Sequence, residues 1–229
     1  MGTRTKSKRR SRYVLLIMLY VLLVLAAAVA GYFYAKTLLV KDEPSAQTTF
    51  DARSDLDNQP ISQEERDNYR VAPDKPRYMS IPAINVQNAR IQELGTVNKD
   101  GVENQLDDPI NIHDVGWYHG SAKPGAGQGA GLYDGHNTGD QERGVFWDLP
   151  RVKIGDEIII ERGDGKVLTY HVVETSAPYL EDVDMDKMIQ PADPDVEGLN
   201  IISCTGVWNK TKATFSHRLL VRAVIVNEP

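Results

Sequence analysis

The sequence contains a single cysteine, Cys204, among its 229 residues. Without a second cysteine the chain cannot form an internal disulfide, which excludes the small secreted domains that disulfides hold together. The neighbouring sequence LNIISCTGVWN is typical of a β-strand. Three interpretations of the thiol remain open: a buried apolar residue, one half of an intermolecular disulfide, or a reactive group.

Charge is missing from the segment 14–35, which is 22 residues long. At about 1.5 Å per residue, a helix of this length crosses the ~30 Å apolar core of a bilayer. The preceding tail, residues 1–13, has no acidic residue and six basic ones. Because basic flanks stay in the cytoplasm, we predict a single-pass cell-membrane protein whose later residues lie outside the cytoplasm. The alternative is a cleaved signal peptide, since Ala28-Val29-Ala30 resembles a cleavage site.

A basic stripe of the kind that binds nucleic acid is missing as well. The formal net charge is −6 although the N-terminal tail is basic, so the rest of the chain is strongly acidic. The acidic run LEDVDMDKM, residues 180–188, lacks EF-hand spacing and is predicted to be a solvated loop instead of a calcium site. No two histidines have the H-x3-H spacing of a metal hydrolase. We therefore predict no nucleic-acid partner, no metal and no cofactor.

Apolar residues are sparse in the segment 36–75. Such a segment buries too little surface to offset the entropy of ordering its chain. We predict a flexible spacer between membrane and domain, in which SQEERDNYR is a candidate for a short helix.

A 3.6-residue apolar period is absent from the remaining segment, residues 76–229. Short apolar runs are instead separated by Gly, Pro, Asn and Asp, and Gly163-Asp164-Gly165 is typical of a hairpin turn. The runs LNIISCTG and RLLVRAVIV are two more strand candidates, and DVDMDKMIQP has room for one helical turn. We predict a mostly β, mainly antiparallel domain of about 150 residues, folded as a barrel or a sandwich.

A nucleophilic cysteine needs a group that handles its proton and a donor that stabilises an oxyanion. Among the five histidines, His136 ends a strand candidate in GLYDGHN and enters a loop, where catalytic groups are often presented. Arg218 opens the last strand candidate. Because arginine does not act as a base in proteins, its role there would be electrostatic; the alternative is a structural ion pair.

Three motifs together resemble the sortase family, the membrane-anchored cysteine transpeptidases of bacterial surfaces. YDGHN resembles the family's Gly-His motif, LNIISC the strand that ends in the nucleophile, and HRLLVRA the strand that opens with the catalytic arginine. Cys204 lies 68 residues after His136 and 14 before Arg218, spacings typical of the family. The resemblance covers about residues 76–229 and is closer to the class E and F groups than to the pilin-polymerising group, because no lid motif is evident upstream.

The resemblance implies an eight-stranded β-barrel with short helices and a groove for a C-terminal sorting signal of LPxTG type. Cys204 would attack the Thr–Gly carbonyl, Arg218 would bind the substrate and the oxyanion, and His136 would transfer protons. The acyl acceptor would be the stem-peptide amine of lipid II or a pilin lysine. Ser203 stands where the family usually has Thr, and we predict a substrate-binding role for it.

Other functions fit parts of the pattern. A cysteine endopeptidase would hydrolyse the same signal if water outcompeted the amine. A non-catalytic surface module would bind peptide or carbohydrate through a degenerate β-barrel. A disulfide-linked homodimer through Cys204 would require an exposed thiol.

Overall fold

The computed structural model describes residues 56–99, 102–139 and 142–226. The predicted cytoplasmic tail, the predicted transmembrane segment 14–35 and the spacer up to residue 55 lie outside these residues. None of the helices in the described ranges is long and apolar enough to cross a membrane.

The described residues form two short α-helices, three 3-10 turns and ten strands. The α-helices are α1 (Gln63–Asn68) and α2 (Met185–Met188), and the 3-10 turns are Pro82–Ile84, Leu149–Arg151 and Leu180–Asp182. The strands are β1 (Pro76–Ile81), β2 (Val86–Leu94), β3 (Thr96–Lys99), β4 (Val102–Leu106), β5 (Val115–Tyr118), β6 (Ala130–Gly135), β7 (Glu157–Arg162), β8 (Val167–Ser176), β9 (Gly198–Asn209) and β10 (Thr214–Ile225).

Eight of the strands close into a barrel in the order β1-β2-β5-β6-β9-β10-β8-β7, while β3 and β4 form a separate hairpin. This confirms the prediction of a mostly β, eight-stranded barrel with short helices. Most neighbours are antiparallel, but β2 pairs with β5 and β6 pairs with β9 in parallel. The predicted hairpin turn joins β7 and β8, and Gly165 there has φ +82°, which favours glycine.

The core fills the inside of the barrel because side chains alternate between the two faces of each strand. On β9, Leu199 and Ile201 are fully buried, and on β10 Val221 and Ala223 are fully buried. All four belong to one large apolar cluster. The residues between them, such as Asn200 and Arg222, therefore lie on the outward face of the barrel wall, which is where the candidate site is found.

Residues 56–75, expected to be part of a flexible spacer, pack against the barrel. The helix predicted within SQEERDNYR is α1, which begins with a capping box between Ser62 and Glu65. Ile61 is buried. The Tyr69 hydroxyl donates a hydrogen bond of 2.5 Å to the Ile91 carbonyl on β2. One buried apolar residue and an aromatic hydroxyl thus help to hold this stretch on the barrel, and average composition does not reveal them.

Candidate active site

Three neighbouring strands bring the predicted catalytic residues to one level of the barrel wall. Cys204 on β9 pairs directly with Arg218 on β10. On the other side of β9, Gly135 at the end of β6 pairs with Ser203 in parallel register. His136 follows Gly135 as Cys204 follows Ser203, so the histidine comes beside the cysteine. Directly opposed residues project from the same face, and we call His136, Cys204 and Arg218 the upper row.

Cys204 and His136 both line a small cavity of about 40 Å³, which has room for about one water molecule. Cys204 is half-buried there. The other residues that line the cavity are Leu56, Asn137, Thr138, Gly139, Trp208, Ala213, Thr214 and Phe215. The thiol therefore lies in a narrow, partly aromatic recess beside an imidazole, as a nucleophile and its proton-transfer partner require.

The His136 ring is held from the side by a backbone carbonyl. The ring is 7 % exposed, and its Nε2 is 2.7 Å from the carbonyl oxygen of Pro109. Because a carbonyl oxygen only accepts hydrogen bonds, Nε2 carries a proton and donates it. Nδ1 is therefore the ring nitrogen that remains to exchange a proton with a substrate.

The Arg218 guanidinium is fixed by the first residues of its own strand, β10. Its amino groups donate to the carbonyls of Phe215 and His217 at 3.2 Å and 3.1 Å and to Thr214 Oγ1 at 3.0 Å. These three acceptors are neutral, so the positive charge of the guanidinium is not cancelled by them. The backbone also ties this strand to the β8–β9 connection, because the Arg218 N–H donates to the Pro178 carbonyl.

Ser203 lies on the opposite face of β9 from Cys204, since successive side chains alternate. It is 4 % exposed, and its hydroxyl donates to the Gly135 carbonyl at 2.8 Å. This hydrogen bond joins β9 to the residue just before His136. The structure thus places Ser203 in the barrel wall, where it supports the histidine, and not on the cavity surface that a substrate would touch.

The four other histidines lie away from this cavity. His217 bonds to Ser216 through Nδ1 and stacks on Tyr179, with ring centroids 4.2 Å apart. His171 lies 3.7 Å from the Glu157 carboxylate on the barrel surface. His119 packs beside Tyr118, and His113 lines a separate cleft. Of the five, only His136 lines the cavity of Cys204.

Two residues near the site were missed by the sequence reasoning. Asp134 lies two positions before His136 and is 9 % exposed. Burial, followed by the charge of Asp108 and a hydrogen bond with it, holds the pKa of Asp134 well above its usual value of 3.8. The motif YDGHN contained this acid, but only the fold brings Asp108 to it. The other residue missed was Leu56, which precedes the predicted domain and lines the cavity of Cys204.

Comparison with known proteins gives a consistent result. The family model described as the sortase domain matches residues 79–226. The chain is similar to the solved structure of sortase A from Corynebacterium diphtheriae, with 25 % identity, 76 % of this chain and 74 % of that chain covered, and a TM-score of 0.51. It is also similar in fold to sortase C from Streptococcus pneumoniae, with 22 % identity, coverage of 79 % and 82 %, and a TM-score of 0.51. No curated protein matches the chain.

Proposed function

The chain belongs to the sortase family of cysteine transpeptidases, and from that premise we propose that it cleaves an LPxTG-type sorting signal between Thr and Gly and joins the threonyl end to an amine. One observation carries the proposal: the pairing of three adjacent strands sets Cys204 on β9 between Arg218 on β10 and His136, which directly follows β6. A nucleophile, a proton carrier and a fixed cation are the groups that acyl transfer needs.

The first half of the reaction forms a thioester. The Cys204 thiolate attacks the threonine carbonyl carbon, and the carbonyl oxygen becomes an oxyanion. When the oxyanion collapses, the bond to the glycine nitrogen breaks and His136 gives its proton to the leaving amine. The Pro109 carbonyl at Nε2 stabilises the doubly protonated ring beforehand, because it accepts from an imidazolium more strongly than from a neutral imidazole.

The second half regenerates the enzyme. The acceptor amine attacks the thioester carbon, loses a proton to His136 and releases the Cys204 thiolate. An imidazole performs both transfers because its ordinary pKa lies near neutrality. Arg218 serves both halves as the donor for the oxyanion, and its neutral hydrogen-bond partners leave its charge available for that role.

The cellular context of the proposal comes from the sequence. The uncharged segment 14–35 would anchor the protein with its N-terminus in the cytoplasm and its barrel outside. There it would meet secreted proteins with sorting signals, together with lipid II as the amine acceptor. The Streptococcus pneumoniae enzyme is described with pilin substrate specificity, so a pilin lysine is the alternative acceptor. A class E or F assignment belongs to this proposal as well.

The test uses the full-length chain in mild detergent and its Cys204→Ala variant. Both are incubated with a quenched fluorescent LPxTG peptide, with and without triglycine or diaminopimelate, and the products are identified by mass spectrometry. We expect cleavage between Thr and Gly, dependence on Cys204 and an amide-linked product when the amine is present. A free acid as the only product would replace the transpeptidase with a hydrolase, and no cleavage across a panel of sorting peptides would overturn the proposed substrate class.

A further inference from the structure

Asp134 is a buried acid on the outward face of β6, next to the upper row. Asp134 pairs with Gly116 of β5 on one side and with Ile202 of β9 on the other. Its Oδ1 lies only 2.0 Å from where a β-carbon on residue 116 would stand, so the glycine makes room for the carboxyl group. Neither strand neighbour offers a charge to compensate an anion. A carboxyl group in such a place is expected to be neutral.

The groups that face Asp134 from the preceding loop are themselves acids. Asp108 is exposed and makes a side-chain hydrogen bond with Asp134, and Asp107 adds a second negative charge nearby. Two carboxylates cannot share a hydrogen bond unless one of them holds a proton. Because burial favours the protonated form of a carboxyl group, the buried Asp134 is the donor and Asp108 is the acceptor.

The same loop holds the catalytic histidine. Asp108 directly precedes Pro109, whose carbonyl accepts the hydrogen bond from His136 Nε2 at 2.7 Å. Two hydrogen bonds thus fasten neighbouring loop residues to the same end of β6, one from residue 134 to residue 108 and one from residue 136 to residue 109. The loop is also tied on its far side, where the Asp107 N–H donates to the Gly95 carbonyl.

We propose that Asp134 is a positioning residue: as a neutral acid it donates to Asp108, keeps the Pro109 carbonyl against His136, and thereby fixes the histidine as the Nε2–H tautomer. The inference rests on the proposed function for its catalytic meaning, although the tautomer itself can be observed without any substrate. Asp134 touches neither substrate nor thiol in this role. It acts through the loop.

The proposal has a pH dependence with a definite sign. The pKa of Asp134 is raised above 3.8, so its proton stays bound over a range where an exposed aspartate has lost it. As the pH rises through that raised pKa, two anions face each other and the loop is pushed away from β6. The free energy that protonated Asp134 contributes to folding is then lost, and the His136 tautomer is no longer fixed. An asparagine at this position keeps a hydrogen-bond donor and does not ionise.

The test compares the full-length chain with D134N, D134A and the control D164N, which changes an exposed acid in the β7–β8 turn. The ¹⁵N chemical shifts of the His136 ring report the tautomer between about pH 5 and about pH 9, and peptide cleavage gives kcat and KM over the same range. In the wild type we expect the share of neutral His136 rings that are the Nε2–H tautomer to fall as the pH rises. In D134N we expect that share to stay constant. In D134A we expect mixed tautomers at every pH and kcat lower by about tenfold at unchanged KM. D164N should follow the wild type.

A wild-type tautomer population and pH profile in D134A would overturn the proposal. If D134A does not fold, the comparison of the wild type with D134N still decides, because equal pH dependence of the tautomer in both also overturns it. Failure of the proposed function appears differently. In that case the wild type cleaves no sorting peptide, while the tautomer of His136 continues to follow Asp134.

Discussion

Two arginines on one face of β10 have opposite surroundings. Arg222 pairs with Asn200 of β9, and these two form what we call the lower row of the barrel wall. The Arg222 side chain is 8 % exposed, bonds to the Glu174 carboxylate at 2.9 Å and donates to the carbonyls of Gln190 and Pro191. Within the described part of the chain, the acceptors of the Arg218 side chain in the upper row are all neutral.

The residues opposite the two arginines differ in the same way. The Asn200 side chain donates to the carbonyls of Met188 and Gln190, each at 2.8 Å, and so fastens the β8–β9 connection to the barrel. Cys204 lines a cavity instead. The lower row is thus bonded to the β8–β9 connection and serves the fold, whereas the upper row keeps a thiol at a recess, next to an arginine that donates to neutral acceptors. The same strand pair supplies a structural site and a reactive site within four residues.

The sharpest contrast is expected between Cys204→Ala and Asn200→Ala. The first removes the nucleophile, so peptide cleavage should fall by about 10⁴-fold or more while the free energy of unfolding changes little. The second leaves the buried Met188 carbonyl without this donor and removes one of two donors to the Gln190 carbonyl, so it should reduce the free energy of unfolding by about 2 kcal/mol. Cleavage assays and urea unfolding of both variants measure this. Equal losses of activity in two stably folded variants would remove the distinction between the rows.

Arg218→Ala and Arg222→Ala should again distinguish the two rows, the first by its effect on kcat and the second by its effect on the free energy of unfolding. Loss of an oxyanion donor should lower kcat by about 10²–10³-fold, with a loss of stability of about 1 kcal/mol, because the hydrogen bonds removed go to neutral acceptors on β10. Arg222→Ala removes a buried guanidinium from the Glu174 carboxylate and from the carbonyls of Gln190 and Pro191, and should lower the free energy of unfolding by about 2 kcal/mol. Kinetics at several peptide concentrations and denaturant titration are the measurements. The conservative changes R218K and R222K serve as controls, since each keeps the charge but not the planar fork of donors. An active R218A would contradict the catalytic assignment of the upper row.

Ser203→Ala should have a smaller effect, because the serine supports the upper row from behind. Its loss leaves the Gly135 carbonyl without this donor and should lower the free energy of unfolding by about 1 kcal/mol, with a modest loss of kcat through His136. Ser203→Thr keeps the hydroxyl and is the matched control. A large rise in KM with unchanged kcat in S203A would instead support the substrate-binding role predicted from the sequence.

The smallest expected effect concerns the lower row in acid. Hydrogen bonding with Lys187, and with Arg222 after it, holds the pKa of Glu174 below its usual 4.5, against the opposing effect of burial. The stability that this group contributes is present above 4.5 and is lost as the pH falls through the lower folded-state pKa. Because Glu174 is partly exposed, the contribution is less than about 1 kcal/mol. Urea unfolding at about pH 6 and about pH 3 should show a weaker loss in E174Q than in the wild type, and an identical loss would exclude Glu174 as a cause.

Elements that depend on neighbouring residues could be predicted from the sequence. The hairpin at Gly163–Gly165 follows from its turn residues, and the strand around Cys204 follows from its β-branched run. Three short motifs were also enough to identify the family, because each surrounds a residue that the chemistry requires.

Long-range pairing could not be predicted in the same way. The parallel register of β6 with β9 is what brings His136 beside Cys204, yet residues 136–197 separate the two strands along the chain. The hydrogen bond between Asp134 and Asp108 likewise joins β6 to the loop between β4 and β5, and strand β5 lies between the two along the chain. Such contacts depend on the closed barrel, and no local periodicity encodes them.

The central claim is that the upper row performs acyl transfer through Cys204. Intact-protein mass spectrometry of the full-length chain, mixed with an LPxTG peptide and no amine, tests it most directly. We predict an adduct with the mass of the acyl fragment that maps to Cys204, is absent from Cys204→Ala, and disappears with formation of an amide product when triglycine is added. Cleavage that persists in Cys204→Ala, with no adduct on the wild type, would contradict the account.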